Sequence, residues 1–267
     1  MSGDYSNWDG WEFRSDYAAN LWLNRPLPIP LWDGLPTEHL FVLAEEGIGD
    51  EVLFMSLLPE ALCRAQKVTV ECDPRLEGIL KRSFPRTLTI SRRGTLTKIR
   101  EWLSGQTLSS WILMGDLARY FRRDKSHFPG KPYLKPDPSR NLEGFRGRTG
   151  VSWSGNHGRL EALIQPGALN LQYDETHPLL EEPGIDLKND IEGLLALCSV
   201  LGRVVTVSTS IAHIAGSVGC PVDVIHAPPG SGGKNDMDIL NWKWPEGKSP
   251  WYGSATAYRN LKQYEMR

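Results

Sequence analysis

Between residues 39 and 115, four short β-branched or apolar runs, HLFVLAE, KVTVEC, TLTIS and SSWILMG, alternate with DEVLFMSLLPEALCRA, DPRLEGILKRSF and LTKIREWLSG, whose apolar residues recur three or four apart. This alternation is what most narrows the fold. Strands joined through a helix run parallel, and a parallel sheet needs helices to cover it. The same pattern restarts after residue 149. GVSWSG (150–155), ALNLQY (168–173), RVVTVST (203–209) and PVDVIHA (221–227) read as strands. NDIEGLLALCSVLG (189–202) and SIAHIAGSVG (210–219) read as helices, the first capped by Asn189 or Asp190. A polar, proline-rich passage, PGKPYLKPDPSRNLEGFRGR (129–148), separates the halves and reads as a linker. The prediction is an α/β chain of two Rossmann-like lobes, residues 1–140 and 141–267, with parallel sheets flanking a cleft. Ligands of such sheets collect at the carboxyl ends of the strands, so the strand-to-helix loops carry the functional argument.

Composition excludes several classes. No run approaches eighteen apolar residues, so no transmembrane helix is expected. The N-terminus, MSGDYSNWDGWEF, is acidic and aromatic, unlike a secretory signal. The four cysteines (Cys63, Cys72, Cys198, Cys220) form no CxxC pair, which points to reduced thiols in a cytoplasmic protein. Net charge is −2, unevenly spread: residues 1–80 carry 5 basic and 14 acidic side chains, residues 81–148 carry 16 and 5, and residues 149–267 carry 9 and 13. The +11 middle block fits either a solvated face or a surface that attracts a polyanion.

Three loops hold candidate chemistry. GIGD (47–50) ends a strand and starts a helix, but the third glycine of a dinucleotide fingerprint is replaced by Val52. Asp50 also puts a negative charge where a phosphate would bind. That leaves two roles for Asp50, helix cap or general base. In VSTSIAHIAGSVGCP (207–221), a strand ends at Ser208, and Thr209, Ser210 and the first N–H groups of the next helix form a ready phosphate site, with His213 one turn in. In SWSGNHGRL (152–160), Ser154, Gly155 and Asn156 end a strand, and Arg159 follows within reach of an anion. The tail NWKWPEGKSPWY packs Trp242, Trp244, Trp251 and Tyr252 together; such aromatics wedge a loop or stack on a base. Asp236-Met-Asp238 and SGGKN match metal–nucleotide and P-loop patterns too weakly to weigh, and no histidine or cysteine spacing suits zinc.

Taken in order, PLWDG, AEEGIGDEVLFMSLLP, VTVECDP, GVSWSGN, LQYDE, IDLKNDIEGLLALCSVL, VVTVSTSIAHIAGSVGCPV, W-K-W and SPWY resemble glycosyltransferase family 9, and in particular the heptosyltransferase-like domains attached to tetratricopeptide-repeat proteins. The resemblance implies the GT-B fold, with the acceptor on the N-terminal lobe and a nucleotide-sugar on the C-terminal one. It implies Asp50 as the base that deprotonates the acceptor hydroxyl, on a loop with Gly47, Gly49 and Glu51. Donor contacts then fall on Ser154, Gly155, Asn156, Arg159, Gln172, Ser208, Thr209, Ser210, His213, Trp242 and Trp244. The nucleotide-sugar is a substrate, so no cofactor or metal is implied. Relatives usually carry an acidic or amide residue at the position of Ser208 and a basic stretch where this chain has HGRLEALIQPGALN.

The expected activity is inverting, metal-independent transfer of a sugar from a nucleotide-diphosphate donor. The +11 block suggests a polyanionic acceptor, either a phosphorylated lipopolysaccharide core or a modified nucleic acid. The alternative is a GT-B-like binding module without catalysis, which Ser208 and the altered 157–170 loop would suit. A nicotinamide oxidoreductase lacks its fingerprint in both lobes.

Overall fold

The computed structural model describes residues 29–45, 47–90, 105–155, 158–226 and 243–267. The chain divides into two compact units, Met1–Phe128 and Pro129–Arg267. Among the described residues, no helix is long and apolar enough to cross a membrane.

The first unit is built on β1 (Thr37–Leu43), β2 (Ala65–Glu71), β3 (Thr87–Ile90) and β4 (Ser110–Leu113), all parallel, in the order β3-β2-β1-β4. Leu40 and Val42 of the central strand pair with Val68 and Val70 on one side and with Ser110 and Ile112 on the other. From Leu40 to Leu43 every residue of β1 is buried, as a strand covered on both faces requires. Helices α1 (Ile48–Met55), α2 (Leu58–Arg64), α3 (Glu77–Ser83) and the short α4 (Ala118–Phe121) supply the cover. The sequence DEVLFMSLLPEALCRA thus makes two helices rather than one. Pro59 lies in the first turn of α2, where its missing N–H costs nothing, and the break falls at Ser56–Leu57. The segment 96–105, read as a helix, lies almost wholly outside the described residues.

PLWDG is structural. Trp32 is buried against Tyr120 and Phe121, with ring centroids 5.0 and 5.9 Å away. Gly34 has φ +85°, and a Cβ there would lie 2.4 Å from the Tyr120 ring.

The second unit holds β5 (Thr149–Ser152), β8 (Leu169–Asn170), β9 (Arg203–Thr206), β10 (Val222–Ile225), β11 (Gly247–Lys248) and β12 (Ala255–Tyr258), in the order β11-β12-β10-β9-β5-β8. All neighbours are parallel except β11 with β12. Its helices are α5 (Ile191–Val200), α6 (Ser210–Ser217) and α7 (Leu261–Glu265). Asp190 is the α5 cap, its carboxylate accepting the Gly193 N–H at 2.9 Å. The run GVSWSG is not one strand: β5 stops at Ser152, and β6 (Ser154–Gly155) turns back on β7 (Gly158–Arg159) as a separate antiparallel pair. Val151, Trp153, Leu163, Val205, Val207, Ile225 and Tyr264 form one buried apolar cluster beside these strands.

Candidate functional site

Both sheets have a place where the strand order reverses, and loops on either side of it diverge. In the first unit this is between β1 and β4, and in the second between β5 and β9. The sequence-selected loops lie at these two points.

In the first unit, α1 starts after Gly47, which is the N-cap with extended backbone (φ −119°, ψ 144°), and Glu51 N–H closes the first helical bond to Gly47 O at 2.9 Å. Asp50 is therefore the third residue of the helix, partly exposed, and not its cap. Its side chain folds toward the turn: a Cβ built on Gly47 would lie 3.8 Å from Asp50 Oδ2, an ordinary contact. Neither space nor φ demands a glycine at 47. Glu51, next along, is fully buried and accepts the Asp73 N–H at 2.9 Å.

Two further carboxylates that the sequence reading passed over meet this loop. Glu45 Oε1 accepts the Gly115 N–H at 2.7 Å, and Glu71 Oε2 accepts the Ala44 N–H at 2.9 Å. Burial pushes the Glu71 carboxyl up to about 7, opposed by the Ala44 N–H and assisted by nearby Asp73. Glu45 and Glu71 sit in AEEG and VECDP, and acidic residues closing two apolar strands were the signal that would have found them.

In the second unit, α6 begins at Ser210 with Thr209 as N-cap. No side chain caps it, and its first turn contains no acidic residue. Thr206 Oγ1 donates to Val207 O at 2.8 Å, so across the 3.1 Å contact between the two hydroxyls Thr209 is the donor. Thr209 and Ser210 are partly exposed, whereas Ser208 is buried. Gly155 approaches this loop closely: a Cβ there would lie 2.7 Å from Thr209 Cγ2 and 3.3 Å from Ser208 O. The two loops at the reversal point therefore meet through a glycine. Gln172 fastens the same corner, its Oε1 accepting from Ser152 Oγ at 3.0 Å and Ser154 N–H at 3.1 Å. Its amide nitrogen donates to Asp174.

Arg159 is already engaged. Nη1 and Nη2 hold Glu175 at 2.7 and 2.9 Å, while Nε and Nη2 hold Glu161 at 3.0 and 2.9 Å. His213 is buried, with Nδ1 3.0 Å from the Tyr252 hydroxyl and its ring centroid 4.9 Å from that of Trp244. Trp244 is itself fully buried and stacks on Tyr252 at 5.6 Å. The W-K-W and SPWY motifs thus meet at His213, and Gly216 leaves room for them, since a Cβ there would strike the Tyr252 ring at 2.6 Å. Asn156, Trp242, Asp236-Met-Asp238 and SGGKN lie outside the described residues. Among the described residues, no group of three His, Cys, Asp or Glu is placed to hold a metal ion.

No protein-family model matches the chain. Protein FlbA of Caulobacter vibrioides is 26% identical over 298 aligned residues, covering 94% of this chain and 48% of its own length. The chain thus spans about half the length of this curated relative. Among solved structures, a glycosyl transferase family 9 protein from Veillonella parvula superposes with a TM-score of 0.53 at 12% identity, covering 87% of this chain and 91% of that one. The E. coli ADP-heptose lipopolysaccharide heptosyltransferase II does so with a TM-score of 0.51 at 13% identity, covering 84% and 91%. Two parallel-sheet lobes, each with its own reversal point, match the GT-B structures of glycosyltransferase family 9 over most of the chain.

Proposed function

We propose that this chain is an inverting glycosyltransferase that moves a sugar from a nucleotide-diphosphate donor to an acceptor hydroxyl. The observation that carries this reading is the contrast between two helix N-termini at the two reversal points. That of α6 has no side-chain cap and no acid in its first turn, which suits an anion. That of α1 presents the partly exposed Asp50 in its first turn, which suits a proton acceptor and repels a phosphate.

In the proposed reaction Asp50 takes the proton of the acceptor hydroxyl as its oxygen attacks the anomeric carbon. The bond from that carbon to the diphosphate oxygen breaks, and the nucleoside diphosphate leaves with the electron pair. One displacement inverts the anomeric centre. Charge growing on the leaving group is met by the N–H groups at Thr209–Ser210, by the Ser210 hydroxyl and by the α6 dipole. Arg159 contributes less than its charge suggests, because Glu161 and Glu175 already neutralise it. His213 shapes this end of the site through its bond with Tyr252. The reaction as written needs no cofactor.

For the acceptor we favour a polyanion, either a phosphorylated glycan of the lipopolysaccharide type or a hydroxyl-bearing nucleic acid. Within the basic block, residues 81–128 belong to the first unit and hold 11 basic and 3 acidic side chains, a net +8. Some of the block is already paired: Lys81 with Glu77, Arg122 with Glu60, Arg140 with Asp190, Arg146 with Glu143 and Arg148 with Glu181. Raising salt from 50 to 200 mM is expected to raise the acceptor KM steeply for a polyanion and little for a neutral sugar. We place the protein in the cytoplasm on its four unpaired cysteines.

The engaged Arg159 and the serine at 208 favour one rival, a non-catalytic binding module. A panel of nucleotide-sugars and nucleoside diphosphates, scored by thermal unfolding, separates the two. A donor at a hundred times its Kd adds about 2.7 kcal/mol of apparent stability. A shift with one nucleotide-sugar series supports transfer; no shift with any donor supports the module.

A further inference from the structure

The turn that carries Asp50 is tied down at both ends by buried glutamates. On the N-terminal side Glu45 accepts the Gly115 N–H at 2.7 Å, joining the loop after β1 to the loop after β4. On the other side Glu51, adjacent to Asp50, accepts the Asp73 N–H at 2.9 Å, joining α1 to the loop after β2. Behind both, Glu71 accepts the Ala44 N–H at 2.9 Å where β1 ends. Glu45 is 6% exposed and Glu51 0%.

Burying a carboxylate is costly, and closing a loop does not require one: a hydroxyl or amide accepts a backbone N–H as well. What these side chains add over a shorter one is reach: a three-torsion arm spans from one loop to the next. Both braces flank Gly47–Asp50, and each grips a different neighbouring loop. A loop held only at the strand would let the first turn of α1 shift, and a base displaced by an ångström loses much of its effect.

We propose that Glu45 and Glu51 are positioning residues for Asp50, holding the turn at both ends so that its carboxylate meets the acceptor hydroxyl. Neither touches a reacting atom. The proposal rests on the reading of Asp50 as the base.

Three substitutions at each position test it. Glu→Gln keeps a carbonyl oxygen at the same reach and drops the charge. Glu→Asp keeps the charge and shortens the arm. Glu→Ala removes both. Kinetics and peptide-level hydrogen exchange over residues 47–55 are read together. The expected result is a kcat lowered about 10- to 100-fold in the Asp and Ala variants, and within about threefold of the parent in the Gln variants, with donor KM unchanged throughout. Exchange across 47–55 should quicken in the Asp and Ala variants and not in the Gln variants, which also serve as controls for folding. Full kcat in both Ala variants overturns the proposal. So does a loss in the Gln variants that Asp restores, because charge rather than grip would then be the cause. If the parent protein transfers no sugar from any donor, the reading of Asp50 fails first. Exchange then decides the brace alone: quickening in the Ala variants upholds it, and unchanged exchange overturns it.

Discussion

Glu71 shows how an individual side chain links stability to the site. Its carboxyl is held at about 7 against an ordinary 4.5, chiefly because burial disfavours the charged form. The folded chain therefore keeps a proton that the unfolded chain releases between these values. The protonated form is the stable one below about pH 4.5, and stability is lost as pH rises through 7. The shift corresponds to about 3 kcal/mol at pH 8. Glu71→Gln keeps an acceptor for the Ala44 N–H and removes the charge. It is expected to raise Tm at pH 8 and to flatten the fall between pH 5 and 7, as thermal unfolding across pH would show. An unaltered pH profile would mean that another group sets it. Asp50 was legible from its place in a strand-to-helix turn, with helix capping as the competing role, one that its position third in α1 behind the Gly47 N-cap still serves. Glu51 was legible as a member of the acceptor-side loop, Glu45 and Glu71 only as residue types. Which backbone N–H each accepts depends on loops 22 to 70 positions away in sequence.

Among the elements, α6 and the β6–β7 pair make the sharpest prediction. Gly155 lets β6 close on the loop after β9, so Gly155→Ala must push Thr209 away from a Cβ placed 2.7 Å from its methyl group. The expected cost is about 1–3 kcal/mol, with nucleotide-sugar affinity falling further than stability does. Isothermal titration beside thermal unfolding separates the two, and an unchanged affinity would remove Thr209 from the donor site. Gly47 predicts the reverse, since the fold there has room for a methyl group. Gly47→Ala meets no clash, so it should cost no more than about 1 kcal/mol, alanine being the poorer N-cap residue, and should lower turnover if the acceptor approaches the backbone at that turn. Strands β1, β2, β3, β4, β5, β9 and β10 were readable from apolar, β-branched runs bounded by turn residues. β12 was not, because ATAY is short and half alanine; it becomes a strand by pairing Val222 to Ala255 and Val224 to Ala257 beside β10. Likewise Ser154 and Gly155 read as the end of the strand that begins at Gly150, and the β6–β7 pair exists through two residue pairings, Ser154 with Arg159 and Gly155 with Gly158.

On the scale of the molecule, the doubled alternation of strand and helix was enough to foresee two parallel-sheet lobes, because period and spacing are local properties. The charge block was less informative. Among the described residues, Arg122, Arg148 and Arg140 of the block pair with Glu60, Glu181 and Asp190, distant in sequence, and only folding reveals that. Arg159 is the same case, a cation that sequence assigns to a phosphate and the fold assigns to Glu161 and Glu175. The central proposal is that a carboxylate on the first unit runs the chemistry while the second unit holds the donor. Single-turnover transfer and donor affinity, measured side by side in the parent protein and in Asp50→Asn, test that most directly. Transfer is expected to fall by at least about 10²-fold with donor Kd within about twofold of the parent. Transfer at the parent rate, or a loss explained wholly by weakened donor binding, would contradict it.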